Sequence, residues 1–439
     1  MTEVTSFDVR DINVPSQSLL PSRQRSLFWR VLATMGPGLM VCFADTDGPC
    51  LLTAAASGAE FKYKLLMLQI VLAPVLFVAQ ELTVRLGLLR GKGVVGLLKA
   101  DVGKIWAWLV ALPLLVSCFF GLLSEYSAIG QTMTFWGWPV WVTNTCITFM
   151  LLVLALSGSY NCAEKVGLTL GACQVLLFIT MFMAKPEGNL LLEQLVEFPF
   201  QDPDYVKLVT ANIGAVIMPW MLAYQQSAIC DKGLSEGGAE HLLIERIDTF
   251  VGSFLTQGVM AAMLVTIGAA IRPKESVDTV DDLLTIFARV LGSVNGAKWL
   301  LTFAIVGACM VAAIVQTLTA SWVLEEVWNE GPSSSSERNT GFFHIRQNIQ
   351  ARPIFYMAYL VVCGVAFVVT VATSNAVDLS VTTQFVNGCL MPPVVFALWF
   401  LSAFRLPEEY RLRCFYKWFA FALFAICSGF CLVSIVFSF

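Results

Sequence analysis

Eleven stretches of this chain stay apolar over roughly 20 residues each, the length an α-helix needs to cross the hydrocarbon of a bilayer. They fall at about 31–57, 64–89, 105–133, 139–158, 165–184, 207–231, 248–271, 296–327, 353–374, 376–402 and 415–438. A soluble core could bury one or two such runs but not this series. Composition agrees, with 57% hydrophobic and 13% charged residues, the latter about half the share of a soluble domain. The expected fold is therefore an all-α polytopic membrane protein with about eleven transmembrane helices. The polar interruptions between the runs are too short to bury a core of their own.

Basic residues set the expected orientation, because Lys and Arg are enriched on the cytoplasmic side. With the N-terminus inside, inner segments hold Arg23, Arg25, Arg30, Arg85, Arg90, Arg246, Arg352, Arg405, Arg411 and Arg413 among others, leaving 8 of the 27 basic residues outside. The outer loops at 185–207 and 272–289 are the more acidic ones. Residues 1–30 read as a polar cytoplasmic segment without the apolar core of a secretory signal. That places the chain in a plasma (inner) membrane. Gly331–Glu337 (GPSSSSE) reads as a flexible inner connector. The 13 cysteines are scattered without CxxC or finger spacing, so neither a disulfide framework nor a structural zinc site is indicated. A formal net charge of −4 argues against nucleic acid as a partner. No nucleophile–base arrangement suggests an enzyme.

Two segments carry breaks. The first is interrupted by Asp45-Thr46-Asp47-Gly48-Pro49, the sixth by Met218-Pro219. Proline lacks an N–H and its ring collides with the carbonyl four residues back, so Pro49 frees the Asp45 carbonyl and Pro219 that of Ala215. The residue before proline is pushed off helical angles, which unwinds Gly48 and Met218. Either proline alone could be an ordinary kink. A pair five segments apart points instead to an inverted-repeat transporter with its site at the membrane midplane. Asp47 gives that site its sign. A carboxylate at membrane depth is costly and functional by default, and with freed carbonyls around it the pocket favours a cation.

These residues resemble the Nramp family of divalent metal transporters, whose fold is LeuT-type, two inverted five-helix repeats. The likeness runs through Gly36-Pro37-Gly38, Asp47 and Gly58-Ala59-Glu60-Phe61-Lys62-Tyr63-Lys64, then Gln80, Arg85, Ser124-Glu125, Glu164-Lys165, Gly214-Ala215-Val216-Ile217-Met218-Pro219, Ile247-Asp248 and Thr383-Gln384. It implies a cytoplasmic segment 1–30, a first repeat 31–184, a second repeat 185–402 with an outer loop 185–206, and an inner loop plus eleventh helix at 403–439. It also implies a metal-ligand set of Asp47, Cys50, the Ala215 carbonyl, Met218 and Gln384, with no cofactor beyond the transported ion.

The sequence departs from the family pattern in several places. Cys50 stands where the family has Asn, and Gly48-Pro49 reverses its Pro-Gly order. Trp220 and Gln225 occupy the two histidine positions of the sixth segment. Leu122 leaves Glu125 as the remaining acid of the third, and the eighth presents Cys309-Met310-Val311-Ala312-Ala313 instead of a polar face. With only His241 and His344, both expected in inner loops, the natural relay near neutral pH is missing. The reading is a carrier of divalent ions of the Mn²⁺ and Mg²⁺ class with little or no proton coupling, akin to an Nramp-related magnesium-transporter-like branch. Gly48, Pro49, Glu125, Pro219, Trp220 and Gln225 are candidates for gating or coupling. So is Asp45, expected to face an outer vestibule. Plainer roles stay open, with Cys50 or Met218 as packing residues and Glu125 as a hydrogen-bonding support for a break. The rival function is a LeuT-type carrier of an organic substrate such as an amino acid, whose carboxylate Asp47 would repel.

Overall fold

The computed structural model describes residues 37–157, 171–231, 233–237, 239–328, 352–370 and 375–437. The expected N-terminal segment, Gly331–Glu337, Glu164-Lys165 and His344 lie outside them. The first segment is two helices, α1 (Pro37–Asp45) and α2 (Gly48–Phe61). Next come α3 (Leu66–Arg90), a short α4 (Val94–Asp101), α5 (Lys104–Met133), α6 (Val140–Ser157), α7 (Leu176–Met183) and α8 (Gly188–Gln194). The sixth segment is again split, into α9 (Pro203–Val216) and α10 (Pro219–Asp231). Then follow α11 (Ala239–Ala270), α12 (Val280–Leu291) and α13 (Val294–Leu301), which runs through a π turn at Thr302–Val306 into α14 (Gly307–Trp328). The chain ends with α15 (Pro353–Thr370), α16 (Ala376–Phe404) and α17 (Cys414–Phe437). Among the described residues, 8 spans are long and apolar enough to cross a membrane, before the split first segment and the shorter α6 are considered.

The second break falls where proline predicts it, at Ile217-Met218. The first lies one residue earlier than expected, at Thr46-Asp47, so that Gly48 opens α2 instead of being unwound, because Pro49 is accommodated in the first turn of a helix. Asp47 is extended (φ −65°, ψ 174°) and its side chain caps α2 by accepting from the Cys50 amide at 2.7 Å. That satisfies one of the orphan donors of a helix N-terminus. Ile217, between α9 and α10, sits at φ −114° and ψ 65°. Both breaks are enclosed: α2 packs on α11 and α16, α9 on α16, α1 on α11 and α14, and α10 on α3 and α14. The result is a LeuT-type arrangement of two inverted five-helix repeats with discontinuous first and sixth segments.

Some boundaries moved. The seventh segment begins about two turns earlier than expected, at Ala239, because the charged stretch Glu240–Asp248 continues the helix instead of ending it, and His241 lies in its first turn. The outer loop after it contains amphipathic α12, started by a capping box in which Thr279 and Asp282 bond each other's backbone.

Close backbone approach holds the breaks in place. A Cβ on Gly214 of α9 would lie 1.9 Å from the Gln384 carbonyl of α16. Gly214→Ala should therefore destabilise the protein by about 3 kcal/mol, at the upper end of overpacking costs. Thermal unfolding in detergent would read this as a midpoint several degrees lower, and an unchanged midpoint would mean that the two helices can part without loss.

Candidate functional site

The five residues marked as a ligand set come together at the paired break. The Cys50 thiol donates to the freed Ala215 carbonyl at 3.2 Å, so each broken helix meets the other through a group the breaks released. The Gln384 amide nitrogen reaches Cys50 Sγ at 3.3 Å and Met218 Sδ at 3.8 Å. Asp47, Cys50, Ala215, Met218 and Gln384 are all buried. Asp47 Oδ1 is occupied by its cap, while Oδ2 has no partner among the described residues.

Glu125 of α5 faces this pocket. Its carboxyl and that of Asp47 lie against each other, and Oε2 lies 3.4 Å from where a Cβ on Gly48 would stand. Its Oε1 accepts from Gln316 of α14 at 3.3 Å. Gly48 has no room for a side chain, because a Cβ would sit 2.1 Å from Cys309 Sγ. Beyond Met218 on α10, Trp220 is wholly buried, and Gln225 is tied to Thr83 of α3 at 2.6 Å and Thr249 of α11 at 3.4 Å.

Asp45 differs from expectation. It does not face a vestibule but is fully buried at the α1 edge of the break, with neither carboxyl oxygen bonded among the described residues. The cause is that α1 is flanked by both α11 and α14, so its last turn has no open side.

Two supports escaped sequence reasoning. Gln174, in the 3-10 turn before α7, donates to the Phe43 carbonyl at 3.1 Å and accepts from the Thr46 hydroxyl, stitching the end of α1. A lone glutamine inside the apolar run Ala172-Cys173-Gln174-Val175-Leu176 was its only signal. Asn387 donates to Gln384 Oε1 at 2.9 Å and accepts from Ser117 at 2.6 Å, which fixes how the Gln384 amide is turned. Asn387 sits one turn after Gln384, a spacing that could have flagged it.

A cavity of about 370 Å³ lies where the C-terminal end of α2 meets the N-terminal ends of α9 and α16, lined by Glu60, Asp204, Lys207, Glu275, Asp278 and Asp378, among others, with Ala56 and Val381 towards the site. Hydrogen bonds from Arg289 hold the Glu275 carboxyl down to about 2, so that acid is neutralised as an ion pair. The remaining acids leave the cavity net negative. Among the described residues no group of three or more His, Cys, Asp or Glu side chains is arranged around an ion position. The central pocket differs in drawing on a carbonyl, a thioether and a carboxamide.

A buried pocket between two discontinuous helices, inside a bundle of membrane-length spans, defines an integral membrane protein with the LeuT-type inverted-repeat fold. The chain belongs to the Nramp family: the model for natural resistance-associated macrophage protein-like sequences matches residues 38–437. It is 29% identical over 217 residues to the divalent metal cation transporter MntH of Latilactobacillus sakei, covering 46% of this chain and 45% of that protein. It is 23% identical over 331 residues to metal transporter Nramp6 of Arabidopsis thaliana, covering 71% of this chain and 62% of that one. The chain thus spans about half to three-fifths of these relatives' length. A crystal structure of an Eremococcus coleocola manganese transporter superposes with a TM-score of 0.74 at 16% identity, covering 98% of this chain and 91% of that one.

Burial makes the pocket testable without transport. Cys50 is buried while Cys414 is exposed. Maleimide footprinting of the native protein should label the Cys50 peptide at least about tenfold more slowly than the Cys414 peptide. Equal rates would put Cys50 on an open path.

Proposed function

We propose that this chain is a secondary transporter that carries divalent metal ions across the membrane by alternating access. The observation that carries this reading is the convergence of Asp47, Cys50, the Ala215 carbonyl, Met218 and Gln384 at the paired break. The likeness to a divalent metal cation transporter and to a manganese transporter supports it. In this reading residues 31–184 and 185–402 are the two repeats, the N-terminus is cytoplasmic, and the membrane is the plasma (inner) membrane. The acidic outer cavity concentrates cations above the site. Gly48, Pro49 and Pro219 serve as hinges, Trp220 and Gln225 close the inner side, and Glu125 and Asp45 bear on the break. Asp47→Ala should abolish metal flux into proteoliposomes while the protein still elutes as a folded species; normal uptake would sink the site assignment.

The donor chemistry bears on which ion moves. Sequence alone favours Mg²⁺ and Mn²⁺ together. In the folded pocket Asp47 Oδ1, the Ala215 carbonyl and Gln384 Oε1 already have partners. An arriving ion meets two unpartnered carboxylate oxygens, Asp47 Oδ2 and Glu125 Oε2, and two sulfurs. For Gln384 to offer its oxygen, its amide and that of Asn387 must turn over together, which the Ser117 hydroxyl tolerates because it can donate or accept. Sulfur donors favour softer ions, and Mg²⁺ prefers oxygen with retained water. The weight therefore shifts towards Mn²⁺. Mg²⁺ in about hundredfold excess should reduce Mn²⁺ uptake less than twofold in the wild type, and more strongly in Met218→Ala. Full block of the wild type by Mg²⁺ would show that the sulfurs do not discriminate.

Coupling is expected to be weak. Gln225 is held by two hydroxyls and Trp220 has no titrating group, so the inner half of the sixth segment offers no histidine relay. Mn²⁺ uptake should proceed with little internal acidification, followed with an enclosed pH dye. Robust metal-dependent acidification, or loss of uptake on collapsing the pH gradient, would contradict this.

A further inference from the structure

A second polar cavity lies at the opposite end of the bundle from the acidic one, where α3, α11 and α17 meet. Its volume is about 390 Å³, and Arg85, Arg246, Arg411, Arg413, Glu409 and Tyr416 line it. Its charges do not balance. Beside it, buried Glu81 accepts from both Arg85 and Arg246 at 2.6 Å through the same oxygen, and from the Tyr416 hydroxyl at 3.1 Å through the other. One carboxylate thus serves two guanidiniums. Arg411 has a loose surface pair with Glu408 at 3.9 Å, and Arg413 has no ion pair among the described residues. Glu409 is the only acid in the lining. Excess charge of one sign in a half-buried place is costly until a counter-ion meets it.

Donors are available for such an ion. Arg85 is committed to Glu81 and to the Tyr410 carbonyl at 2.7 Å. Arg246 spends Nε and Nη2 on Glu81, leaving Nη1. Arg413 immediately precedes α17, a helix of 24 residues whose first-turn amides add positive potential at the same place. We infer that this cavity binds the phosphate of a membrane-lipid headgroup. Guanidinium forks match a tetrahedral oxyanion through several charge-assisted bonds. The lipid is indicated by what borders the cavity. Phe415, Trp418 and Phe419 project from the start of α17 at 84%, 55% and 43% exposure, and Lys417 lies 5.2 Å over the Phe404 ring. An aromatic and basic girdle of this kind marks headgroup level, where basic pockets between spans take anionic lipid.

The test uses the full chain purified in detergent, with retained lipid read by native mass spectrometry. Phosphatidylglycerol, phosphatidylcholine and inorganic phosphate are offered separately to wild type, Arg413→Gln, the double variant Arg411→Gln/Arg413→Gln, and Lys104→Gln. The last removes an exposed charge from the start of α5, outside the cavity. Wild type should retain phosphatidylglycerol over phosphatidylcholine. Affinity should fall about fivefold in the single variant and roughly thirtyfold in the double, since each basic residue near a membrane surface contributes about a factor of five. Lys104→Gln should match wild type. Arg413→Gln has no protein ion pair to lose, so it keeps the test valid if the double variant misfolds. Equal retention by wild type and Arg413→Gln would overturn the inference. So would an equal loss in Lys104→Gln, which would mean diffuse attraction, or full displacement of the lipid by inorganic phosphate at equal affinity, which would mean a soluble anion is the ligand.

Discussion

Where α1 gives way to α2 and α9 to α10, main-chain groups lose their helical partners at the centre of a membrane-spanning bundle. Each such group, left unpaired in hydrocarbon, would cost several kcal/mol, and much of the surrounding sequence answers that loss. Gln174 takes the Phe43 carbonyl, Asp47 the Cys50 amide, and the Cys50 thiol the Ala215 carbonyl. These pairings tie together three separate segments, the first, fifth and sixth, so the breaks can exist only where those segments converge. The same groups that relieve the backbone also furnish the pocket. In the proposed reading stability and site are therefore one arrangement: a cation that enters would replace contacts that hold the breaks together.

The breaks were legible because proline acts locally. Its missing N–H and its ring fix where a helix stops whatever the neighbours are, so Pro49 and Pro219 located both interruptions within a residue. The spans were legible because bilayer thickness imposes their length. Asp45 was misread because helical phase says which way a side chain points relative to its neighbours but not what stands opposite. Only the placing of α11 and α14 closes that side. Gln174 and Asn387 were missed for a related reason: a single amide in an apolar run gains meaning from its partner, and the Gln174 partner lies 131 residues away.

The departures from the family pattern are linked physically. With Gly at position 48, α2 can approach α14 until Cys309 fills the space a side chain would need. A small residue at 48 and a compact, less polar eighth segment therefore require each other. The Gly48-Pro49 order, Cys309 and the apolar run after it read as one change in how the first and eighth segments meet, with Glu125 held beside it by Gln316.

A carrier working by alternating access must open one end while the other stays shut, and the two ends here are fastened differently. The end with the acidic cavity is held by neutral bonds, Gln69 to Asn212 at 2.6 Å and Asn212 to Ser57 at 2.8 Å, joining α3, α9 and α2, and by two partly exposed ion pairs, Lys64–Glu197 at 2.9 Å and Arg289–Glu275 at 2.5 Å. The inner side is held by Glu81 with two arginines and a tyrosine, joining α3, α11 and α17. Neutral hydrogen bonds contribute about 0.5–1.5 kcal/mol each, and those to charged groups about 1.5–3. Partly exposed ion pairs add little to that, whereas Glu81 is buried, so in the proposed reading the end with the acidic cavity is the easier to release. A phosphate in the basic cavity would compete with Glu81 for the same guanidiniums and weaken the inner clasp. On the lipid-phosphate inference, the charge excess around Glu81 would tie the ease of opening at this end to the composition of the surrounding membrane.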